Sequence, residues 1–397
     1  MKVLLDKIEK KYIIFGGAIF ASRALEYFVL LFSANFLDKD TYGQLEFYKK
    51  IIEVASVFFA FGFPALILSY TKSERSKDYF YLLSLSFVCV LTIFILPVIH
   101  IYNLYFLIIP FLFYAIFFNG GITPTYFLVK KGSNYASKYK IIISSLFYIV
   151  LFIGVYKFQF NGKAYLKTSY IAVIFFICYL IYYILNLEIN FNHLKKYFNL
   201  FRKLLVSSST LVISNFANMM FLYTDIFVLS QVSSNPGQEI ADFSFALNIS
   251  SILLLIPLTL VQVDVEKLKK SKLQFNILNK KINNLLLIVL LVLFISYVIL
   301  IKYFIVKYDN TLNIFIVLLI AKLFHAKSSL YGTYILILKK FNINLLINSL
   351  ALLLNIIACY YSYTFFGILG LSISSLVLLF LRFIILKMCK NYFLKKI

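Results

Sequence analysis

Apolar runs of twenty or more residues, separated by short charged or turn-rich breaks, repeat along the whole chain. About 20 residues at about 1.5 Å each are enough to cross the hydrocarbon of a bilayer. Counting runs and breaks predicts about twelve helices: Tyr12–Phe36, Phe47–Tyr70, Tyr79–Ile101, Tyr105–Leu128, Ser137–Tyr156, Lys167–Leu187, Leu204–Ser230, Ile240–Val263, Asn283–Val306, Thr311–Leu338, Asn342–Phe365 and Gly367–Met388. The first two runs carry charge within them. IIFGGAIFASRALEYFVLLFSANF holds Arg23 and Glu26 near its middle, and FYKKIIEVASVFFAFGFPALILSY holds Glu53 and a late Pro64. A charge at that depth costs at least about 2.5 kcal/mol unless it is paired or faces water. Arg23 and Glu26 are three apart and share a helix face. They read either as a buried pair that fixes packing or as the wall of a polar path.

Orientation follows from lysine and arginine placement. Alternate loops on one side hold 27 of these residues against 8 on the other, with Lys39, Lys49 and Lys50 counted in the poorer set. The positive-inside rule then places both termini in the cytoplasm, as an even number of spans requires. The formal charge of +23 is accounted for by these loops, and nucleic acid is not an expected partner. With a mean hydropathy of +0.90 and 14% charged residues, no soluble domain is visible. The first run is too long and too charged for a signal peptide. Cys89, Cys178, Cys359 and Cys389 lie in or at the end of apolar runs without CxxC spacing, and His100, His193 and His325 form no ligand pattern. No metal site or cofactor is expected beyond a coupling proton or sodium ion.

Two basic connectors stand out, Glu188–Lys203 near mid-chain and Asp264–Ile282. Each reads as a helix lying on anionic lipid or as a solvated linker. Pro64 and Pro257 are 193 residues apart, and the same offset carries Ile13 onto Val206 at the start of the seventh run. The expected fold is therefore an all-α integral membrane protein of about twelve transmembrane helices in two pseudo-symmetric six-helix halves. The halves would be residues 1–190 and 205–397, joined by a basic cytoplasmic linker over 191–204.

Polar residues fall in stripes on several of these helices. Asn215, Asn218 and Asp225 mark the seventh; Ser244, Asn248 and Ser251 the eighth; Lys322, His325 and Ser329 the tenth. Asn344, Asn348 and Asn355 follow on the eleventh, Ser375 and Arg382 on the twelfth, and Lys49, Glu53 and Ser56 on the second. One Asn or Ser in a membrane helix reads as interhelical glue. Stripes in both halves, together with six buried charges, read more economically as a hydrophilic cleft. Lys322 and Arg382 suit an anionic headgroup, and Asn215, Asn218 and Asn248 are candidate substrate contacts. Glu26, Glu53, Asp225 and His325 are candidates for ion coupling or gating, with a satisfied core histidine the competing reading of His325. Prolines 64, 110, 124 and 257 would bend helices during a transport cycle or as static features.

The stretch GGAIFASRALEYFVLLFSANFLDKDTYGQLEFYKKIIEVASVFFAFGFPALI resembles the opening of bacterial O-antigen (Wzx-type) polysaccharide flippases, of the multidrug/oligosaccharidyl-lipid/polysaccharide (MOP) exporter superfamily. The shared features are a first helix with a mid-span polar patch, a short loop ending in Tyr42-Gly43, and a second helix finishing near Pro64. GQEIADFSFALNISSILLLIPLTL resembles the same pattern in the second half. The resemblance implies a MATE-like fold in the bacterial inner membrane. It implies transport of an undecaprenyl-pyrophosphate-linked oligosaccharide to the periplasmic leaflet, with polysaccharide polymerase and chain-length machinery as further partners beside membrane lipids. On that resemblance Arg23, Lys322 and Arg382 would contact diphosphate or glycan, and Glu26 and Asp225 would couple an ion. The chain is shorter than the peptidoglycan-precursor flippase by two helices, which favours an O-antigen or capsule repeat unit.

Two other functions compete. A multidrug exporter of the same superfamily would share the architecture, but its cavity would be dominated by acidic and aromatic groups. A membrane enzyme on lipid-linked glycan, such as a polymerase, would need an acceptor-holding external loop. The longest such loops, KFQFNGKAYLK and SQVSSNPGQE, are about a dozen residues, and no acid/base cluster accompanies them. The expectation is a transporter and not an enzyme.

Overall fold

The computed structural model describes residues 10–70, 73–118, 120–187, 193–257, 259–261, 272–338 and 340–395. Within them every regular element is helical and no strand occurs. The helices are α1 (Lys10–Phe36), α2 (Lys39–Phe59), α3 (Phe63–Tyr70), α4 (Glu74–Ile101), α5 (Tyr105–Ile116), α6 (Ile122–Lys130) and α7 (Ser133–Tyr156). They continue as α8 (Ala164–Leu185), α9 (Leu194–Val232), α10 (Pro236–Ser250), α11 (Lys272–Ile299), α12 (Leu312–Ile337) and α13 (Phe341–Lys395). Among the described residues, eight helices are long and apolar enough to cross a membrane. Their outward faces carry Phe94, Phe175 and Leu287 among many large apolar side chains, as lipid-facing helices do. The chain is a multi-pass membrane protein.

The predicted runs map onto these helices with instructive breaks. The second run is interrupted at Phe61 and Gly62, both at positive φ, where Ser208 Oγ donates to the Phe61 carbonyl. A side chain on Gly62 would press on the Ser208 carbonyl and on Leu211, so the turn needs glycine for space as well as for φ. Pro64 therefore opens α3 instead of bending a long helix, and Pro124 opens α6 in the same way. At a helix start the missing N–H is no loss. Pro110 does lie inside α5. The last two runs join into α13, kinked at Gly367 (φ 61°). The seventh run begins early, at Leu194, so the described part of the first connector is helix; its residues 188–192 and residues 264–271 of the second lie outside the described residues.

Two compact units result, each with its own packing. Unit 1 is the chain to Val29 with Tyr48–Met219; unit 2 is Leu30–Phe47 with the chain from Met220. In lipid the hydrophobic effect does not press helices together, so packing geometry and polar bonds must. In unit 1 an aromatic core forms around Phe113 and Phe147, stacked with centroids 5.5 Å apart, with Tyr148 and Tyr165 against Phe147. In unit 2 Tyr297 stacks on Phe315 at 3.6 Å, and its hydroxyl pairs with Thr311 Oγ1 at 2.5 Å. Phe245 stacks on Tyr308 at 4.2 Å.

Candidate functional site

Unit 1 buries a charge cluster on α1 and α2. Arg23 and Glu26 lie one helical turn apart on α1, and the Arg23 guanidinium donates to Glu26 Oε2 at 2.5 Å. The other carboxylate oxygen, Oε1, takes Lys49 Nζ of α2 at 3.1 Å. One turn further on, Lys50 faces Glu53 at 3.7 Å. The Glu26 and Lys49 side chains are only 6% and 3% exposed, whereas Arg23 keeps 30%. Such burial is tolerable because each charge has a partner, and removing one partner would leave the other uncompensated. Lys49 Nζ also stands 5.8 Å from the centre of the Tyr165 ring. Tyr114 lies within electrostatic reach of Arg23, Glu26, Lys49 and Glu53, and Lys140 of α7 within reach of Arg23 and Glu26. Cations outnumber carboxylates here, so the cluster presents net positive charge beside tyrosine hydroxyls. Ser22 on α1 anchors the same face by donating to Ser144 of α7 at 2.7 Å.

The expected second helix, Phe47–Tyr70, already carries Lys49, Lys50 and Glu53, although both lysines also enter the sidedness count. The structure starts α2 eight residues earlier, at Lys39, and buries both lysines. Lys140, within the expected fifth helix, is a half-buried residue of α7.

Unit 2 holds a second polar group, around Asp225 of α9. Cys359 Sγ donates to Asp225 Oδ1 at 2.9 Å and Ser375 Oγ to Oδ2 at 2.7 Å. Asn355 Nδ2 donates to the Phe221 carbonyl at 2.8 Å, and its Oδ1 lies 3.3 Å from the Cys359 thiol. These partners come from both legs of α13, so the Gly367 kink is what folds Ser375 back onto the helix face of Cys359. A narrow cleft of about 10 Å³ opens here, with Asp225, Lys322, Asn355 and Ser375 as its polar lining. Nearby, Arg382 lies over the Phe221 ring at 5.3 Å and donates to Asn348 Oδ1 at 2.9 Å. His325, fully inside, feels the charges of Lys322 and Arg382. The expected set thus divides: Arg23, Glu26 and Glu53 share the first cluster, and Asp225, Lys322, His325 and Arg382 the second. Asn248 is buried on α10, Asn218 is half-buried, and Asn215 is exposed on α9. Cys359 was missed, since a lone thiol has no spacing to betray it.

At one end of unit 2 the α1–α2 turn is clamped. Lys39 pairs with Asp242 of α10 at 2.6 Å, and Lys307 donates to the Asn35 and Leu37 carbonyls at 3.0 and 2.5 Å. Both lysines flank the Tyr308 ring, at 5.2 and 5.6 Å. In the turn itself the Thr41 N–H bonds Asp38 Oδ2 at 2.9 Å and holds that carboxyl below the usual aspartate range. A side chain on Gly43 would collide with the Gly237 carbonyl, and one on Gly237 with Asp40. Gly43→Ala is expected to cost about 1–3 kcal/mol by overpacking. A thermal unfolding midpoint in detergent unchanged from wild type would show that the two backbones separate freely.

No protein-family model matches the chain, and no curated protein does. Solved structures are similar to it across nearly its full length. One is an outward-facing multidrug resistance MATE family transporter of the MOP superfamily: 12% identity, 98% of this chain and 96% of that chain, TM-score 0.62. Another is the lipid II flippase MurJ in an inward closed conformation: 16% identity, 94% and 86% coverage, TM-score 0.63. A third is a mutant of the Vibrio cholerae MATE transporter VcmN, at 12% identity, 97% and 95% coverage and TM-score 0.61. At these identities the likeness speaks for architecture, and the chain has the all-helical membrane fold of the MATE and MurJ transporters.

Proposed function

We propose that this protein is an inner-membrane flippase that moves an undecaprenyl-pyrophosphate-linked oligosaccharide, an O-antigen or capsule repeat unit, from the cytoplasmic to the periplasmic leaflet. The observation that carries this reading is the buried, net-positive cluster of Arg23, Lys49 and Lys140 around Glu26. A diphosphate diester is anionic at neutral pH and is matched by guanidinium and ammonium donors held in low dielectric. The polyprenyl tail stays in lipid while the headgroup passes through protein, and the fold's likeness to a lipid II flippase supports that division.

Ion coupling is assigned to Asp225, and the ion to a proton. Asp225 is met by a thiol and a hydroxyl that both donate to it. Hard cations such as sodium favour shells of oxygen, and a thiol in that shell is a poor ligand. A multidrug cation exporter of the same fold is the second reading, and the excess of cations in unit 1 counts against it. The test is the sidedness of lipid-linked glycan in cells lacking the protein, read with a probe confined to the outer leaflet. Repeat units that are made but inaccessible, and become accessible when the protein is restored, support the flippase. Accessible single units that accumulate instead place the protein after translocation.

A further inference from the structure

We propose that Glu26 is a built-in stand-in for the ligand's phosphate: it occupies Arg23 and Lys49 while the site is empty and is displaced when an anion binds. The proposal rests on reading unit 1 as a diphosphate site and concerns how that site is emptied and refilled. Each oxygen of the Glu26 carboxylate holds a different cation, Arg23 on Oε2 and Lys49 on Oε1. That is the two-oxygen, two-cation arrangement that a phosphate group makes with the same side chains. Exposure is graded across the trio, with Arg23 at 30%, Glu26 at 6% and Lys49 at 3%. An incoming anion therefore meets Arg23 first and reaches Lys49 only by replacing Glu26.

Electrostatics set the direction of the exchange. Two cations on one carboxylate leave a positive excess, which draws an anion in. A diphosphate brings enough negative charge to neutralise both cations, and Glu26 is then surplus and repelled. When the ligand departs, Glu26 closes on Arg23 and Lys49 again and restores both ion pairs. The cost is affinity, because every binding event must break the internal pairs. The gain is release: a site without the competitor holds its ligand and turns over slowly.

The test measures binding of farnesyl diphosphate to the full-length protein in detergent, with farnesol as control, for wild type, Arg23→Ala, Glu26→Gln and Glu26→Asp. Wild type is expected to bind the diphosphate and not the alcohol, and Arg23→Ala to lose that binding. Glu26→Gln is expected to bind at least about fivefold more tightly and to release more slowly, the change that about 1 kcal/mol of removed competition makes. Glu26→Asp, one methylene shorter, reaches only one cation and is expected to fall between them. It decides the matter if Glu26→Gln is not monodisperse. Unchanged or weaker binding in both Glu26 variants, with Arg23→Ala still inactive, overturns the stand-in and leaves the anion site standing. Absence of diphosphate binding in wild type, or binding untouched by Arg23→Ala, overturns the anion reading and the stand-in with it.

Discussion

Arg23→Ala is expected to reduce glycan translocation to background while the protein still inserts and accumulates in the membrane. The guanidinium is the accessible member of the unit 1 cluster and pairs with Glu26 within one helical turn. Removing it leaves Glu26 paired to Lys49, so the buried carboxylate keeps a partner and the fold survives. What is lost is a forked, permanently charged donor, for which lysine is a poor substitute. A loss of at least about 2 kcal/mol in anion binding, some thirtyfold, follows from charge-assisted hydrogen bonds of this kind. The measurement is outer-leaflet accessibility of lipid-linked glycan against the amount of inserted protein. Wild-type translocation would reduce Arg23 to a packing residue. Exchanging Arg23 and Glu26 sharpens the result. A simple pair tolerates reversal, whereas here reversal moves the carboxylate away from its contact geometry with Lys49 and puts an anion at the accessible position.

Asp225→Asn is the second substitution with a large expected effect: translocation should fall at least about tenfold and stop responding to an imposed proton gradient. The asparagine has nearly the same shape and can still accept from Ser375, so unit 2 is expected to keep its packing. It cannot take up or give away a proton. With its oxygen on Ser375, its amide nitrogen faces the Cys359 thiol, which donates to the other oxygen of Asp225. Vesicles with a proton gradient alone and a sodium gradient alone separate the candidate ions. Drive by sodium alone, abolished by the substitution, would assign Asp225 to sodium instead.

The helical architecture was legible because the apolar runs are long and the charges between them are dense. The Arg23–Glu26 pair was legible because i, i+3 spacing is local. What was hidden depends on what meets across helices. The Lys49–Glu26 contact joins two helices and has no local spacing, and the charged residues at the start of α2 hide that the helix begins at Lys39. The stripe on α9 is spread around the helix. At about 100° per residue, Asn218 and Asp225 fall within about 20° of each other, while Asn215 stands about 60° away from Asn218 and is exposed. Cys359 acquires its role only when the Gly367 kink brings the second leg of α13 alongside the first. Prolines 64 and 124 looked like kinks because the glycine breaks just before them leave hydropathy unchanged.

The grouping of Leu30–Phe47 with the second unit has a consequence for biosynthesis. That turn leaves the ribosome early, but the lysine that grips the Leu37 carbonyl lies 270 residues later. At about 5–20 residues per second, roughly 15 to 50 s pass before its partners exist. For most of that interval the Lys39 ammonium has no Asp242 to meet, and Gly43 has no Gly237 beside it. Chains arrested before Lys307 is made should therefore present this turn to protease or to a membrane chaperone, and finished chains should not.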